Sequence, residues 1–395
     1  MRMPGSALLF VSWAGLLSGC GAGESASAVA VRDSAGIRIV EHAEDSDSKP
    51  VRPTLLLRIE DEALFRVTGA VRLPEGGVVV ANGGSSEVRL YDASGALRST
   101  SGGAGEGPGE FRSLNVLRRL EDGTLAVYDS RLRRVQRFDP DGALLGSLTV
   151  GETDAPGNVR GIFVDGSLVV RGVTGGGGMP QQGVRRFLAP YSHVSAEGKA
   201  LAALGSVEGS ETLLQVFEGG QGIGLWTPPL PHVVELLPGR QRLFWFDSHQ
   251  NEFRVTGPDG EDPTWVRRRI PLRDKSDPAW TAAVAEYLSR QAPEQRDFLE
   301  RELNAWQEGP LPAYSAAHVG NDDVAWLREP DPAVEGQALW SRFDGQGTRL
   351  PPMLLPSGFR PLESDATYLV GVSTDDLGTE SVEIFALDRL PPEDR

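Results

Sequence analysis

One short frame recurs six times along the chain and restricts the fold more than any other feature of the sequence. Val88-Arg-Leu-Tyr91-Asp92-Ala-Ser-Gly95 and Val135-Gln-Arg-Phe138-Asp139-Pro-Asp-Gly142 share an apolar start, an aromatic at the fourth place and a glycine seven residues after the start. Each reads as a short strand that ends in a glycine-bearing turn. The same spacing joins Tyr191 to Gly198, Phe253 to Gly260 and Trp340 to Gly347, and a further copy, Val382-Glu-Ile-Phe385, lies near the C-terminus. A second marker runs in step: Asn82, Asp129, Asp247 or Asp376 stands six residues before the apolar start, while Arg185 and Val334 fill that place in the third and fifth copies. An Asp or Asn at such a turn caps free backbone N–H groups with its own side chain.

The copies start at 88, 135, 191, 253, 340 and 382, so the intervals are 47, 56, 62, 87 and 42 residues. Units of that size with about four short strands match propeller blades, and each is too small to bury its own apolar face. The sequence therefore predicts an all-β fold, a six-bladed β-propeller, in preference to an antiparallel sandwich, which has no reason to repeat one turn frame. The last copy is short of a strand, and Thr54-Leu-Leu-Leu-Arg-Ile59 precedes the first full unit with nothing nearby to pair with. It is expected to close the ring as the outer strand of the final blade and so protect an exposed edge. Gly36-Ile-Arg-Ile-Val40 is expected to add a strand near it. The 87-residue interval holds a two-helix insertion over 276–308, between the fourth and fifth units. Asp277-Pro278 opens the first helix, with Trp280, Val284, Tyr287 and Leu288 on one face. Pro293 opens the second, with Leu299, Leu303 and Trp306 on its apolar side. The pair is either a lid over one mouth of the channel or packing on the rim.

The N-terminus carries an address. Arg2 supplies a positive n-region and Ala7 to Leu17 an apolar stretch too short to span a bilayer permanently. Leu17-Ser18-Gly19-Cys20 matches the bacterial lipobox, in which the cysteine is acylated and becomes the new N-terminus. Residues 1–19 are thus expected to be a lipoprotein signal peptide, 20–31 a flexible tether and 32–395 the propeller. Several acyl chains on Cys20 anchor stably where one would not. Gly21 follows the cysteine where aspartate would favour inner-membrane retention, so the expected location is extracytoplasmic, on the outer membrane or cell surface. Cys20 is also the only cysteine, which leaves no internal disulfide to hold the domain.

Arg32-Asp-Ser-Ala-Gly-Ile-Arg-Ile-Val40, the run Gly102-Gly-Ala-Gly-Glu-Gly-Pro-Gly-Glu-Phe111, and Asp129 followed by Arg134-Val135 and Phe138-Asp139 resemble bacterial six-bladed β-propeller lipoproteins related to NHL-repeat proteins. The resemblance covers nearly the whole mature chain and is most specific in the first two units; the glycine tract Gly175 to Gly178 departs from it. It implies the fold and an extracytoplasmic setting, and it implies no activity.

No residue pattern marks a reaction. The net charge of −16 and pI near 4.9 repel phosphate backbones, so nucleic acid is not an expected partner. The glycine run 102–109 contains Pro108 and no Lys-Ser/Thr, so it reads as a tight connection and not a phosphate cradle. Asp139-Pro-Asp141-Gly142, Asp322-Asp323 and Asp375-Asp376 read as turn chemistry, not calcium loops. His42, His193, His232, His249 and His318 form no HxH or HExxH pattern, and no GxSxG occurs. The arginine pairs 118–119, 133–134 and 185–186 and the run Trp265-Val266-Arg267-Arg268-Arg269 read as ion-paired or edge-protecting charges. No catalytic residue, metal ligand or cofactor is therefore expected. The leading expectation is a monomeric binding or scaffolding module, held at the membrane through Cys20, for a glycan, peptide or envelope protein. The rival is a metal-dependent lactonase- or lyase-like propeller enzyme with its site in the central channel. That rival requires three or more carboxylates or amides, plus a histidine or arginine, converging at one channel mouth. An accessory role in an envelope complex would instead predict a contiguous apolar patch on one face.

Overall fold

The structure, a computed structural model, describes residues 29–43, 48–173, 181–217, 222–306, 309–330 and 334–387. The signal peptide, Cys20, the tether as far as residue 28, the glycine tract 175–178 and residues 307–308 lie outside the described residues.

The chain folds mainly into small antiparallel sheets taken in sequence order. Three strands come first: β1 (Val29–Ser34), β2 (Ile37–His42) and β3 (Thr54–Ile59). The first complete sheet is β4 (Val67–Arg72), β5 (Val78–Asn82), β6 (Glu87–Tyr91) and β7 (Leu97–Gly102). The second is β8 (Leu114–Arg119), β9 (Leu125–Asp129), β10 (Arg134–Phe138) and β11 (Leu144–Thr149). The third begins with β12 (Gly157–Ile162) and β13 (Leu168–Gly172). A detour through β14 (Gly183–Arg185) then leads to β15 (Leu188–Val194) and β16 (Ala200–Glu208), which complete it. After β17 (Thr212–Val216) and β18 (Ile223–Trp226) come β19 (Val234–Pro238), β20 (Leu243–Asp247), β21 (Glu252–Thr256) and β22 (Thr264–Arg268), the fourth sheet. Helices α1 (Pro278–Ser289) and α2 (Pro293–Ala305) precede the fifth sheet: β23 (Ala316–Val319), β24 (Ala325–Arg328), β25 (Gln337–Phe343) and β26 (Arg349–Pro356). The sixth is β27 (Phe359–Ser364), β28 (Tyr368–Thr374) and β29 (Glu380–Ala386) with β3 at its edge.

The repeated frame marks the third strand of every sheet. Val88, Val135, Tyr191, Phe253, Trp340 and Val382 are all buried. Gly95, Gly142, Gly198, Gly260 and Gly347 all have φ between +79° and +95°, which L side chains adopt only with strain. Second strands explain why the apolar runs are continuous. Side chains alternate across a strand, and here both faces are covered. Leu125 and Val127 of β9 pack with Val79, Ala81 and Val88 of the first sheet, while Ala126 and Tyr128 pack with Val159, Leu168 and Val170 of the third. Further shared cores join the third sheet to the fourth, the fourth to the fifth and the fifth to the sixth. First strands also touch in succession, β4 with β8, β8 with β12, β12 with β19, β19 with β23 and β23 with β27. Sheets packed face to face with their first strands adjacent make this a propeller-type fold.

The N-terminal segment serves three sheets from outside. Strand β2 pairs in parallel with β22, and β1 pairs back on β2, which extends the fourth sheet to six strands. Val51 then bridges to Met353 at the edge of the fifth sheet. Strand β3 pairs antiparallel with β29, Ile59 opposite Val382 and Leu57 opposite Ile384. Two sequence expectations are corrected here. Gly36 to Val40 does not lie beside the final sheet; Ile39 and Val40 are buried on the fourth, where Trp265 and Val266 offer parallel partners with no local sequence signal. The tether does not run to residue 31, because Val29, Ala30 and Val31 already belong to β1.

The helices form as the sequence predicts. The Asp277 carboxylate accepts from Ala279 N at 2.8 Å, and each helix has proline in its first turn. Trp280, Phe298, Leu299 and Leu303 pack on Leu213 of the small sheet β14-β17-β18, with Val184 and Trp226 alongside. Helices and small sheet thus form one satellite layer. In an antiparallel sheet, the link between second and third strands and the exit from the fourth strand emerge at the same end. All three excursions (β14, β17–β18 and α1–α2) are of these kinds, so the layer sits on one face of the fold.

Ile59 is 2 % exposed within the apolar cluster of Val382 and Ile384, whereas Leu56 in the same strand is 49 % exposed. Ile59→Ala is expected to lower unfolding free energy in urea by about 2–5 kcal/mol, and Leu56→Ala by less than about 0.5 kcal/mol.

Candidate functional site

Asp129 shows what the second marker does in its ordinary form. Fully buried at the end of β9, it accepts from Arg112 N (2.5 Å), Ser113 N (2.9 Å), Arg131 N (2.9 Å) and Leu132 N (2.8 Å). It thereby fastens the entry to the first strand against the turn after the second. Asn82 does the same in the first sheet through Phe65 N and Ala63 O. In the sixth sheet Asp375, not the Asp376 singled out from the sequence, caps Leu377 N and Thr379 N.

The fourth sheet breaks the pattern, and a polar cluster results. There Ser248 Oγ accepts from Val233 N, the tie that Asn82 and Asp129 make elsewhere. The Asp247 carboxylate is free to turn outward, and its Oδ1 meets His249 Nδ1 at 2.9 Å and accepts from His249 N at 3.1 Å. The other nitrogen of His249, Nε2, lies 2.8 Å from Glu211 Oε1. His232 Nδ1 lies 2.6 Å from the same Glu211 oxygen, and its backbone N–H donates to Glu211 Oε2 at 2.9 Å. The two imidazoles stack with centroids 3.4 Å apart and planes 12° apart. Arg186 approaches Asp247 Oδ2 at 3.4 Å. Each residue belongs to a connection: Glu211 precedes β17, His232 precedes β19, and His249 sits in the turn after β20. All lie on the face that carries the satellite layer.

Electrostatics follows from this packing. Burial alone would raise the Glu211 carboxyl, yet its hydrogen bonds to His232 and His249 hold it well below the usual carboxylate range. Burial lowers His232, and the Glu211 contact only partly offsets this. Burial would also lower His249, but Asp247 and Glu211 together raise it. A doubly carboxylate-paired His249 beside a His232 shifted toward its neutral form results.

A second polar group gathers where first strands meet. Glu363 of β27 is 3 % exposed and accepts from Arg72 N (2.7 Å) and Asn321 Nδ2 (3.0 Å). Arg118 of β8 donates to Gly239 O at 2.7 Å, and His318 of β23 meets Ser364 Oγ at 3.0 Å. Burial pushes Glu363 up to about 7 and Arg118 down to about 10. Burial, with Arg118 nearby, takes His318 down to about 3. A small cavity of about 190 Å³ beside this group is lined by Arg119, Glu121, Arg240, Asn321 and Asp365, among others.

The remaining sequence-singled residues are structural. His193 bridges Ser167 Oγ (2.9 Å) and Asp259 (2.7 Å), linking the third sheet to the fourth, and His42 meets Gly347 O at 2.8 Å. The 102–111 run is a turn held by Arg134 on the carbonyls of Glu106, Gly107 and Glu110, with Gln136 Oε1 accepting from Gly109 N. Asp139 caps Asp141 N and Ala143 N, and Asp323 caps Arg240 N and Arg242 N of the neighbouring sheet. Arg267, Arg268 and Arg269 pair with Glu252, Glu329 and Glu41. Sequence spacing named His232 and His249 only as isolated histidines and did not name Glu211. The signal available was His249 two residues after Asp247, where the marker's carboxylate keeps the backbone N–H of that residue and gains its ring.

No family model matches the sequence, and no curated protein does. Solved structures do resemble it. An exported-protein candidate from Bacteroides fragilis shares 13 % identity over 89 % of this chain and 99 % of its own, with a TM-score of 0.49. A DUF4221-family member from Bacteroides vulgatus shares 9 % over 86 % and 98 %, at 0.47. Virginiamycin B lyase from Staphylococcus aureus shares 11 % over 83 % and 98 %, at 0.41. Such identities carry no activity over to this chain.

Glu363 supplies a pH test. A folded-state value of about 7, above the unfolded carboxyl near 4.5, means that the unfolded chain ionises first as pH rises. The term is therefore stabilising in relative terms at pH 4 and is lost between about pH 4.5 and 7. Glu363→Gln is expected to gain on the wild type by about 2–3 kcal/mol in urea unfolding between pH 4 and pH 8, and a pH-independent difference would refute the buried neutral acid.

Proposed function

We propose that this chain is an extracytoplasmic lipoprotein, anchored through Cys20, whose folded part closes as a six-bladed β-propeller and acts as a binding module. Closure is supported by the contact between β27 and β4 and by the apolar cluster that Val67, Val78 and Val80 share with Val370, Val382 and Ile384. The helical insertion then falls between blades four and five. The anchor reading rests on the lipobox, and no described helix is long and apolar enough to cross a membrane.

The observation that carries the binding reading is the composition of the channel group. Glu363 and Asn321 bond to each other there, and the Glu363 carboxylate already accepts two hydrogen bonds. Asp323 and Asp365, close by, spend carboxylate oxygens on backbone N–H groups. The lactonase- or lyase-like alternative calls for a fuller set of free carboxylates and amides. What remains available to a partner is the loop faces of a rigid disc, and the expected partner classes are a glycan, a peptide or another envelope protein. The acidic surface does not suit nucleic acid.

Radiolabelled palmitate is expected to label the wild type and not Cys20→Ser, which moves to the soluble fraction. Immobilised mature protein is expected to retain a saturable glycan, peptide or protein ligand. Chelator-sensitive turnover of lactone substrates that is lost in Asn321→Ala would overturn the binding reading in favour of a channel enzyme.

A further inference from the structure

We propose that Glu211, His232 and His249 form a binding site for a borderline divalent transition-metal cation, with Zn²⁺ as the reference ion. The inference is independent of whether the module binds or catalyses.

The donor atoms are already assembled. Glu211 Oε1 stands 2.6 Å from His232 Nδ1 and 2.8 Å from His249 Nε2, and the rings that carry the two nitrogens are 3.4 Å apart. Ligands at about 2.0–2.1 Å around a tetrahedral zinc are themselves about 3.3 Å apart, so the ion is admitted by opening the triangle and turning one imidazole out of the stack, which brings both in-plane lone pairs onto it. Among the described residues this is the group of histidine and carboxylate donors whose ligand atoms converge.

The supporting contacts are those a metal site requires. A ligating histidine is oriented by a carboxylate on its other nitrogen, and Asp247 Oδ1 holds His249 Nδ1 at 2.9 Å. The ligating carboxylate is fixed by the His232 backbone N–H on Oε2, which leaves Oε1 for the ion. Glu211 and His232 are 5 % and 3 % exposed, while the His249 side chain is 18 % exposed, so the site is walled on one side and reachable on the other.

The donors are crowded around one oxygen. His232 is almost fully buried, yet its Nε2 has no hydrogen-bond partner. Separately, two imidazole nitrogens share the single oxygen Glu211 Oε1, a crowding that an ion between the three donors would relieve. A buried polar atom without a partner is expensive enough to be rare. The competing account is a hydrogen-bonded staple between three connections, with Arg186 balancing the charge. It explains the short contacts, and neither the staple nor an ion on Nδ1 supplies a partner for Nε2, so the two accounts are separated by metal titration alone.

Two nitrogens and one oxygen select the ion class. Imidazole donors suit zinc, copper, nickel and cobalt, whereas calcium and magnesium take oxygen ligands. Three protein ligands leave a fourth position for water or for a donor from a bound partner.

The test uses purified full-length protein in detergent, stripped with chelator and titrated with Zn²⁺ alone and with Co²⁺ alone. One equivalent is expected, with the visible bands of low-coordinate Co²⁺, and excess Mg²⁺ or Ca²⁺ is not expected to compete. His249→Ala and Glu211→Gln are expected to weaken binding at least tenfold, with near-ultraviolet circular dichroism confirming the fold. Asp247→Asn, which leaves the three ligands in place, is expected to weaken it ten- to a hundredfold and stands in should either ligand variant fail to fold. Absence of Zn²⁺ binding by the wild type, or equal binding by folded variants, would establish the hydrogen-bonded staple and overturn the proposal.

Discussion

Everything in this molecule depends on sheets that cannot stand alone. A four-stranded sheet of five- or six-residue strands buries too little to survive in water, and here each sheet has apolar side chains on both faces. Val79 and Ala81 face one neighbour and Val78 and Val80 the other, so each sheet needs two partners. Such a chain has no stable subset of units, and what holds one sheet holds the next. The burden then falls on the two ends of the chain, which is why the N-terminal segment is spent on edges. It occupies the fourth, fifth and sixth sheets in turn through β2, Val51 and β3.

Much of this was legible in the sequence because the informative residues do local work. A buried apolar start and a left-handed glycine recur at fixed spacing since the third strand of each of the first five sheets makes the same hairpin. The helices announced themselves through Asp277 and two prolines, whose effects reach only a few residues. Strand β3 was placed on the last sheet by counting strands, and its pairing with β29 follows that count. Strand β2 was misplaced because a parallel pairing with β22, more than two hundred residues away, leaves no mark in either segment. The Glu211 cluster was invisible for a related reason. Its three residues lie on three connections, and only the fold brings them together.

One substitution of roles created that cluster. In the first two sheets the residue ending the second strand spends its side chain on the backbone of the preceding entry. In the fourth, Ser248 takes over the tie and Asp247 is released to hold a histidine. A structural device repeated along the chain thus becomes a polar site by a one-residue transfer of work, without disturbing the strands beneath it. Placing the site under the satellite layer follows from topology, since excursions after second and fourth strands share a face.

If the chain is held through Cys20 as proposed, the outer hairpin has a mechanical meaning. Among the described strands β1 pairs with β2, with Val29, the first described residue, opposite His42. Traction applied at Val29 would then open that ladder one rung at a time, the weakest way to load a strand pair. The slack it releases arrives before any force reaches Val51, and β3 lies further along still. In that setting the hairpin would act as a fuse, yielding first under tension while the strand paired with the last sheet stays unloaded.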